Sequence, residues 1–176
     1  MKKLLITGLL TFVLFLSFHT AQAQRLFFIA AHAGYNAPSG ATFSDAYNFG
    51  LGAEAIGGIG WGGTFITGTL GYNWFKATSS YKNELGGGNM SSTPIKLGLR
   101  QYIFARLLYL KIDGGVAYTQ SKLKNASRFT ADAGVGAKLA GFDLGLDFNT
   151  LNYGVPGTDK KWNNWVGFKA GWHFGL

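Results

Sequence analysis

Ten ionisable side chains sit at alternate positions in apolar segments: Glu54, Asp113, Asp132, Asp143 and Asp147, against Lys96, Arg100, Lys111, Lys138 and Lys169. Facing one another, they can hold ion pairs, relay protons, or line a narrow passage for charged solutes. Phe142-Asp143-Leu144-Gly145-Leu146-Asp147-Phe148 shows the pattern best, with a large apolar residue at every second position and two carboxylates and a glycine between. Side chains alternate faces on a strand, so one face is apolar and the other is charged or bare.

Other chemistries lack their residues. His32 and His173 share the polar face of the first and last segments, but no carboxylate motif accompanies them. They read as packed or solvated histidines, with no metal and no cofactor expected. No outward His lies near an outward Ser, which rejects an acyl-transfer site. Gly50-x-Gly52 and Gly86-Gly87-Gly88 do not separate a strand from a helix, which rejects a phosphate-binding loop. The expectation is a protein that is not an enzyme.

Eight strand-like runs position these residues: Leu26 to Asn36, Tyr47 to Ile56, Thr64 to Lys76, Thr93 to Phe104, Leu108 to Thr119, Phe129 to Leu139, Phe142 to Thr150 and Asn163 to Phe174. A tilted strand needs about 9–11 residues to cross a bilayer. Connections alternate long and short, and the even strand count returns both termini to one end. The long connections are read as loops at Ala37 to Ala46, Thr78 to Ser92, Gln120 to Arg128 and Leu151 to Trp162. The short ones are a glycine turn over Gly57 to Gly63, a connection near Arg106, and Ala140-Gly141. A two-residue turn at Ala140-Gly141 sets Lys138 across from Asp143, and one at Arg106-Leu107 sets Arg100 across from Asp113.

The fold expected is all-β: an eight-stranded antiparallel up-and-down transmembrane barrel, apolar face to lipid. Such a barrel is just wide enough for its own side chains. The five positive and five negative inner groups must then pair. Glycines at 98, 115, 134, 136, 145, 167 and 171 leave them room, and the network reads as a structural plug. Tyr35, Tyr47, Tyr72, Trp74, Tyr118, Tyr153 and Trp162 near the long-loop ends, with Trp61 and Phe104 near the short turns, form the expected aromatic girdles.

The N-terminus sets the compartment. Lys2 and Lys3 precede an apolar run from Leu4 to Phe18, and Ala21-Gln22-Ala23 supplies a cleavage pattern. Residues 1–23 therefore read as a secretory signal cut before Gln24, leaving 24–176 as one barrel domain. With no cysteine, a lipid-anchored form and disulfides are excluded. Removing Lys2 and Lys3 leaves 14 basic and 8 acidic residues, a balance of +6. For an exported chain this points to anionic lipid and not to nucleic acid. Lys76, Lys82, Lys122, Lys124, Arg128, Lys160 and Lys161 lie in or beside the long loops, where they could contact lipopolysaccharide phosphates.

On this pattern the whole mature chain resembles the small eight-stranded outer-membrane barrels of the OmpX, OmpA-domain and PorT-like families. The resemblance implies a bacterial outer-membrane location and a role in adhesion, envelope integrity or passive transport. It also implies a monomer whose last strand is read by the barrel assembly machinery. Trp172-His173-Phe174 fits the terminal aromatic signal of these families, although Gly175-Leu176 follows. Two rival readings remain at this stage: a narrow pore or carrier for small solutes, and a soluble periplasmic barrel of lipocalin type with the opposite orientation.

Overall fold

The computed structural model describes residues 26–154 and 162–175, so the signal segment, Lys160 and Lys161 lie outside it. Eight strands form: β1 (Phe27–Ser39), β2 (Tyr47–Trp61), β3 (Thr64–Ala77), β4 (Met90–Ile103), β5 (Leu108–Ser121), β6 (Asn125–Leu139), β7 (Phe142–Leu151) and β8 (Asn163–Gly175). Each pairs antiparallel with its neighbours, and β1 pairs with β8 to close the barrel. Closure satisfies every strand edge, which a hydrocarbon surround requires.

The strands overrun the lengths expected from sequence. Gly57, Gly58 and Gly60 stay in the β2–β3 ladder, and the turn is only Gly62-Gly63, both left-handed at φ 61° and 101°. Gly58 stays bare because a Cβ there would strike the Phe28 ring. The expected loop at Gln120 to Arg128 shrinks to residues 122–124, placing Arg128 on β6. Two six-residue helices sit where plain loops were expected, α1 (Ala41–Ala46) and α2 (Ser79–Glu84). Thr78 caps α2, its hydroxyl accepting from the Tyr81 amide at 3.2 Å.

Apolar residues fill both ends of the lumen. At the long-loop end, Phe43, Tyr47, Phe75, Tyr81, Tyr153 and Trp165 pack into one cluster around Met90 and Leu151. At the short-turn end, Phe28, Phe65, Tyr102 and Tyr109 pack with Ala30 and Ile56. Tyr47 and Tyr153 therefore do not belong to the outer girdle. A bulge between Tyr47 and Phe49 turns Tyr47 inward, and Tyr153 folds in after β7 to meet Ser121 through its hydroxyl at 2.8 Å. Tyr35, Tyr72, Tyr118, Trp162, Trp61 and Phe104 do face outward, while Trp74 is half-buried.

Candidate functional site

Between the two apolar clusters lies a layer of ion pairs. Lys111 Nζ is its hub, 3.3 Å from Asp113, 2.9 Å from Asp132 and 3.0 Å from Asp147. Lys96 also pairs with Asp132. Lys169 Nζ reaches Glu54 and Asp147 at 2.6 Å each. Nearer the short turns, Arg100 Nη1 donates to Asp143 at 3.1 Å, and the Tyr109 hydroxyl donates to the same carboxylate at 2.6 Å. The Arg100 guanidinium lies against two rings, 4.2 Å from the Tyr109 centroid and 5.1 Å from that of Phe28.

The strands dictate this placement. Each charged residue alternates with a lipid-facing apolar one, and glycines opposite them provide the volume. A Cβ at Gly98 would fall on the Asp113 carboxylate, and one at Gly134 on that of Asp147. Lys111 and Asp147 flank Gly134 from either side, so that empty position lets Lys111 reach across a whole strand.

Nine of the ten residues singled out from sequence are joined by these pairs. The tenth, Lys138, faces Asp143 in the β6–β7 ladder as expected, and lines an open cavity at the short-turn mouth. The other expected pairing is corrected. Arg100 faces Lys111, and Asp113 faces Gly98. The β4–β5 turn spans four residues, not two, with Phe104, Ala105 and Arg106 all left-handed at φ 47°, 55° and 65°.

Sequence reasoning left His32 and His173 out of the network. His32 Nδ1 lies 3.1 Å from Glu54 and its Nε2 lies 3.3 Å from Asp143, so this ring bridges the two halves of the layer. His173 Nδ1 is 3.5 Å from Asp143. Thr67 adds a hydrogen bond to Asp113 at 3.1 Å. The signal was present, because both histidines fall on inward positions of adjoining strands.

At the long-loop end, Lys82 lies in the last turn of α2, Lys122 and Lys124 in the β5–β6 turn, and Arg128 at the top of β6, all exposed. Lys76 projects outward over the Phe49 ring, 5.7 Å from its centroid, where Tyr35 stacks on the same ring at 6.1 Å.

The exterior is apolar along every strand, with Leu97 72%, Ile112 61% and Leu144 56% exposed, while Asp143 and Asp147 are almost wholly buried. A soluble barrel of lipocalin type requires the reverse, so that orientation is overturned. These features define a closed eight-stranded transmembrane β-barrel, the fold shared by the small outer-membrane barrels. No family model matches the chain, and no curated protein matches it either. Among solved structures it is similar to Neisserial surface protein A, with a TM-score of 0.54, 13% identity, and coverage of 88% of this chain and 100% of that one. It is similar to Ail, the attachment invasion locus protein of Yersinia pestis, with a TM-score of 0.55, 13% identity, and coverage of 84% and 98%. It is also similar to the N-terminal β-barrel domain of Pseudomonas aeruginosa OprF, with a TM-score of 0.51, 12% identity, and coverage of 86% and 99%.

Proposed function

We propose that the protein is a non-enzymatic bacterial outer-membrane barrel with a plugged lumen, acting at the cell surface through its long-loop end. The observation that carries this reading is the buried ion-pair layer held between two apolar clusters beneath an exposed cationic rim. Such a layer withstands removal from water only because its charges are mutually paired. One gap beside it, between Glu54, Asn73, Lys96 and Lys169, holds about 10 Å³, room for roughly one water. A gap of that size supports the plug over the narrow pore.

The rim suits multivalent anions. Lys76 stands at the girdle, where lipid headgroups lie, and Lys82, Lys122, Lys124 and Arg128 stand above it. Phosphate groups of lipopolysaccharide fit this arrangement. Ail has also been crystallised with the heparin analogue sucrose octasulfate, another polyanion. Insertion would bring β8 and its outward Trp172 and Phe174 to the assembly machinery, with the protein remaining a monomer.

Two measurements test this. Replacing Lys122, Lys124 and Arg128 together with Gln weakens lipopolysaccharide binding in vitro, and unchanged binding overturns the ligand. Single-channel recording in planar bilayers yields no steady conductance, and a stable open level overturns the plug.

A further inference from the structure

The outer wall of the barrel holds a recess that the cationic rim does not use. It lies at the long-loop end, where β3, β4 and β5 run side by side, and has a volume of about 340 Å³. That is within the range of small-ligand sites. Tyr72 and Trp74 of β3 form one wall, and Asn89, Ser91 and Gln120 form the other. Among the described residues, no charged side chain lines it.

The strands account for its place and its lining. Pro94 has no N–H to give to β3, and the β3–β4 ladder skips from Leu70–Ile95 to Asn73–Ser92 just below the recess. Above that gap, Trp74 faces Ser91 across β3–β4, and Ser91 faces Gln120 across β4–β5. Four residues deeper on the same three strands, the outward row is Leu70, Ile95 and Val116. The recess therefore stands at the upper border of the lipid face, where headgroups begin. Its walls are also held. The Phe49 ring meets Trp74 edge-on from the β2 side at 6.2 Å, and Asn89 Oδ1 accepts from the Ala77 amide at 3.0 Å. Among the described residues, neither the Ser91 hydroxyl nor the Gln120 side-chain amide is engaged by another group.

A fixed indole beside uncharged hydrogen-bonding groups matches one ligand chemistry. Hydroxyls and amides both donate and accept, as sugar hydroxyls do, whereas a phosphate is matched by Arg or Lys. The indole supplies a flat apolar surface for the C–H face of a pyranose. We propose that the recess seats one sugar ring of an outer-leaflet glycolipid, stacked on Trp74 and hydrogen-bonded to Asn89, Ser91 and Gln120. The acyl chains of that lipid then run down over Leu70, Ile95 and Val116. This site rests on the lipopolysaccharide reading of the long-loop end, and adds a sugar contact to the phosphate contacts of the rim.

The test uses the ¹⁵N-labelled barrel in phosphatidylcholine nanodiscs doped with one of three lipids: lipid A stripped of its phosphates, phosphatidic acid, or intact lipopolysaccharide. The stripped lipid keeps the sugars, and phosphatidic acid keeps a phosphate without a sugar. With rising mole fraction, the stripped lipid is expected to shift the Trp74 indole and the Ser91 amide saturably. The Trp61 indole, at the short turns, should show no saturable shift. Phosphatidic acid is expected to act on the Trp74 and Ser91 signals at least about tenfold more weakly. Trp74→Leu with Gln120→Leu should weaken the stripped lipid about tenfold or more, read at Ser91, while Trp74→Tyr stays within about threefold and Trp61→Phe changes nothing. A heat-shifted band on gels establishes that each variant folds. Unmoved Trp74 and Ser91 signals in a barrel that still binds intact lipopolysaccharide overturn the recess and leave the rim standing. A barrel that binds no lipopolysaccharide overturns both. Equal action of phosphatidic acid overturns the sugar in favour of a general lipid contact. Shifts that follow the number of barrels per disc in plain phosphatidylcholine overturn it in favour of a second copy of this chain.

Discussion

Arg100 and Lys111 face each other directly across the β4–β5 ladder, two cations side by side on the lumen wall. Like charges in that relation repel. The side chains diverge instead. Arg100 turns toward the short-turn end and meets Asp143, while Lys111 reaches Asp113, Asp132 and Asp147. The lumen charges thus form two groups, one around Asp143 and one around Lys111, and His32 spans them from Asp143 to Glu54.

Lys111 is the member whose loss should cost most. Lys111→Met leaves three buried carboxylates without their shared cation. Removing one side of a buried pair destabilises by about 3–5 kcal/mol, because the uncompensated charge remains. Adding Asp113→Asn, whose ion pair among the described residues is with Lys111 alone, removes part of that charge, so the double variant should recover part of the loss. Urea titration in detergent micelles, followed on gels by the mobility of unheated samples, measures both. Equal stability of Lys111→Met and the parent would show that water enters the layer freely.

Orientation gives a second expected outcome. The chain has no cysteine, so a single introduced one takes a spin label at a known place. Labels at Leu144, Leu146 and Val135 should collide readily with oxygen dissolved in lipid, since all three project outward. Labels at Asp147 and Lys138 should not, because both turn toward the lumen. An interior cavity reported at the three apolar sites would reverse the barrel.

The face of most strand residues was legible because a strand has a period of two and the lipid face of this chain carries almost no charge. That was enough for the closed topology and for nine members of the ion-pair layer. Register at the β4–β5 turn was not legible. Phe104, Ala105 and Arg106 have no preference for the left-handed region, so nothing in their types announces a four-residue turn. The apolar clusters were hidden for another reason. Phe28, Phe65 and Phe75 point inward, yet a two-letter code of apolar outside and polar inside has no symbol for them. Tyr47 was misplaced by a bulge, which reverses every face assignment beyond it.

The long-loop cluster should be cooperative with α1. Phe75 is fully buried and lies 5.2 Å from Phe43 of that helix, 5.3 Å from Trp165 and 6.2 Å from Tyr47, centroid to centroid. A six-residue helix has little stability of its own and depends on such packing. Phe75→Ala should cost about 3–5 kcal/mol. It should also expose residues 41–46 to proteases that leave the parent intact, and limited proteolysis in nanodiscs reads this directly. Continued resistance there would mean that α1 is held by contacts other than Phe75.

Gly141 gives the sharpest local contrast. It sits at φ 92° in the β6–β7 turn, and a Cβ there would lie 2.9 Å from the Trp172 ring. Both facts oppose a side chain. The left-handed backbone alone costs an L-residue about 1–2 kcal/mol, and the ring must also move. Gly57 is the control, because its backbone is not left-handed and no atom lies within 4 Å of a Cβ built there. Gly141→Ala should therefore lower the urea midpoint, while Gly57→Ala should leave it unchanged or raise it, since alanine loses less chain entropy on folding. Should both variants unfold together with the parent, the turn must relax in a way that frees Trp172.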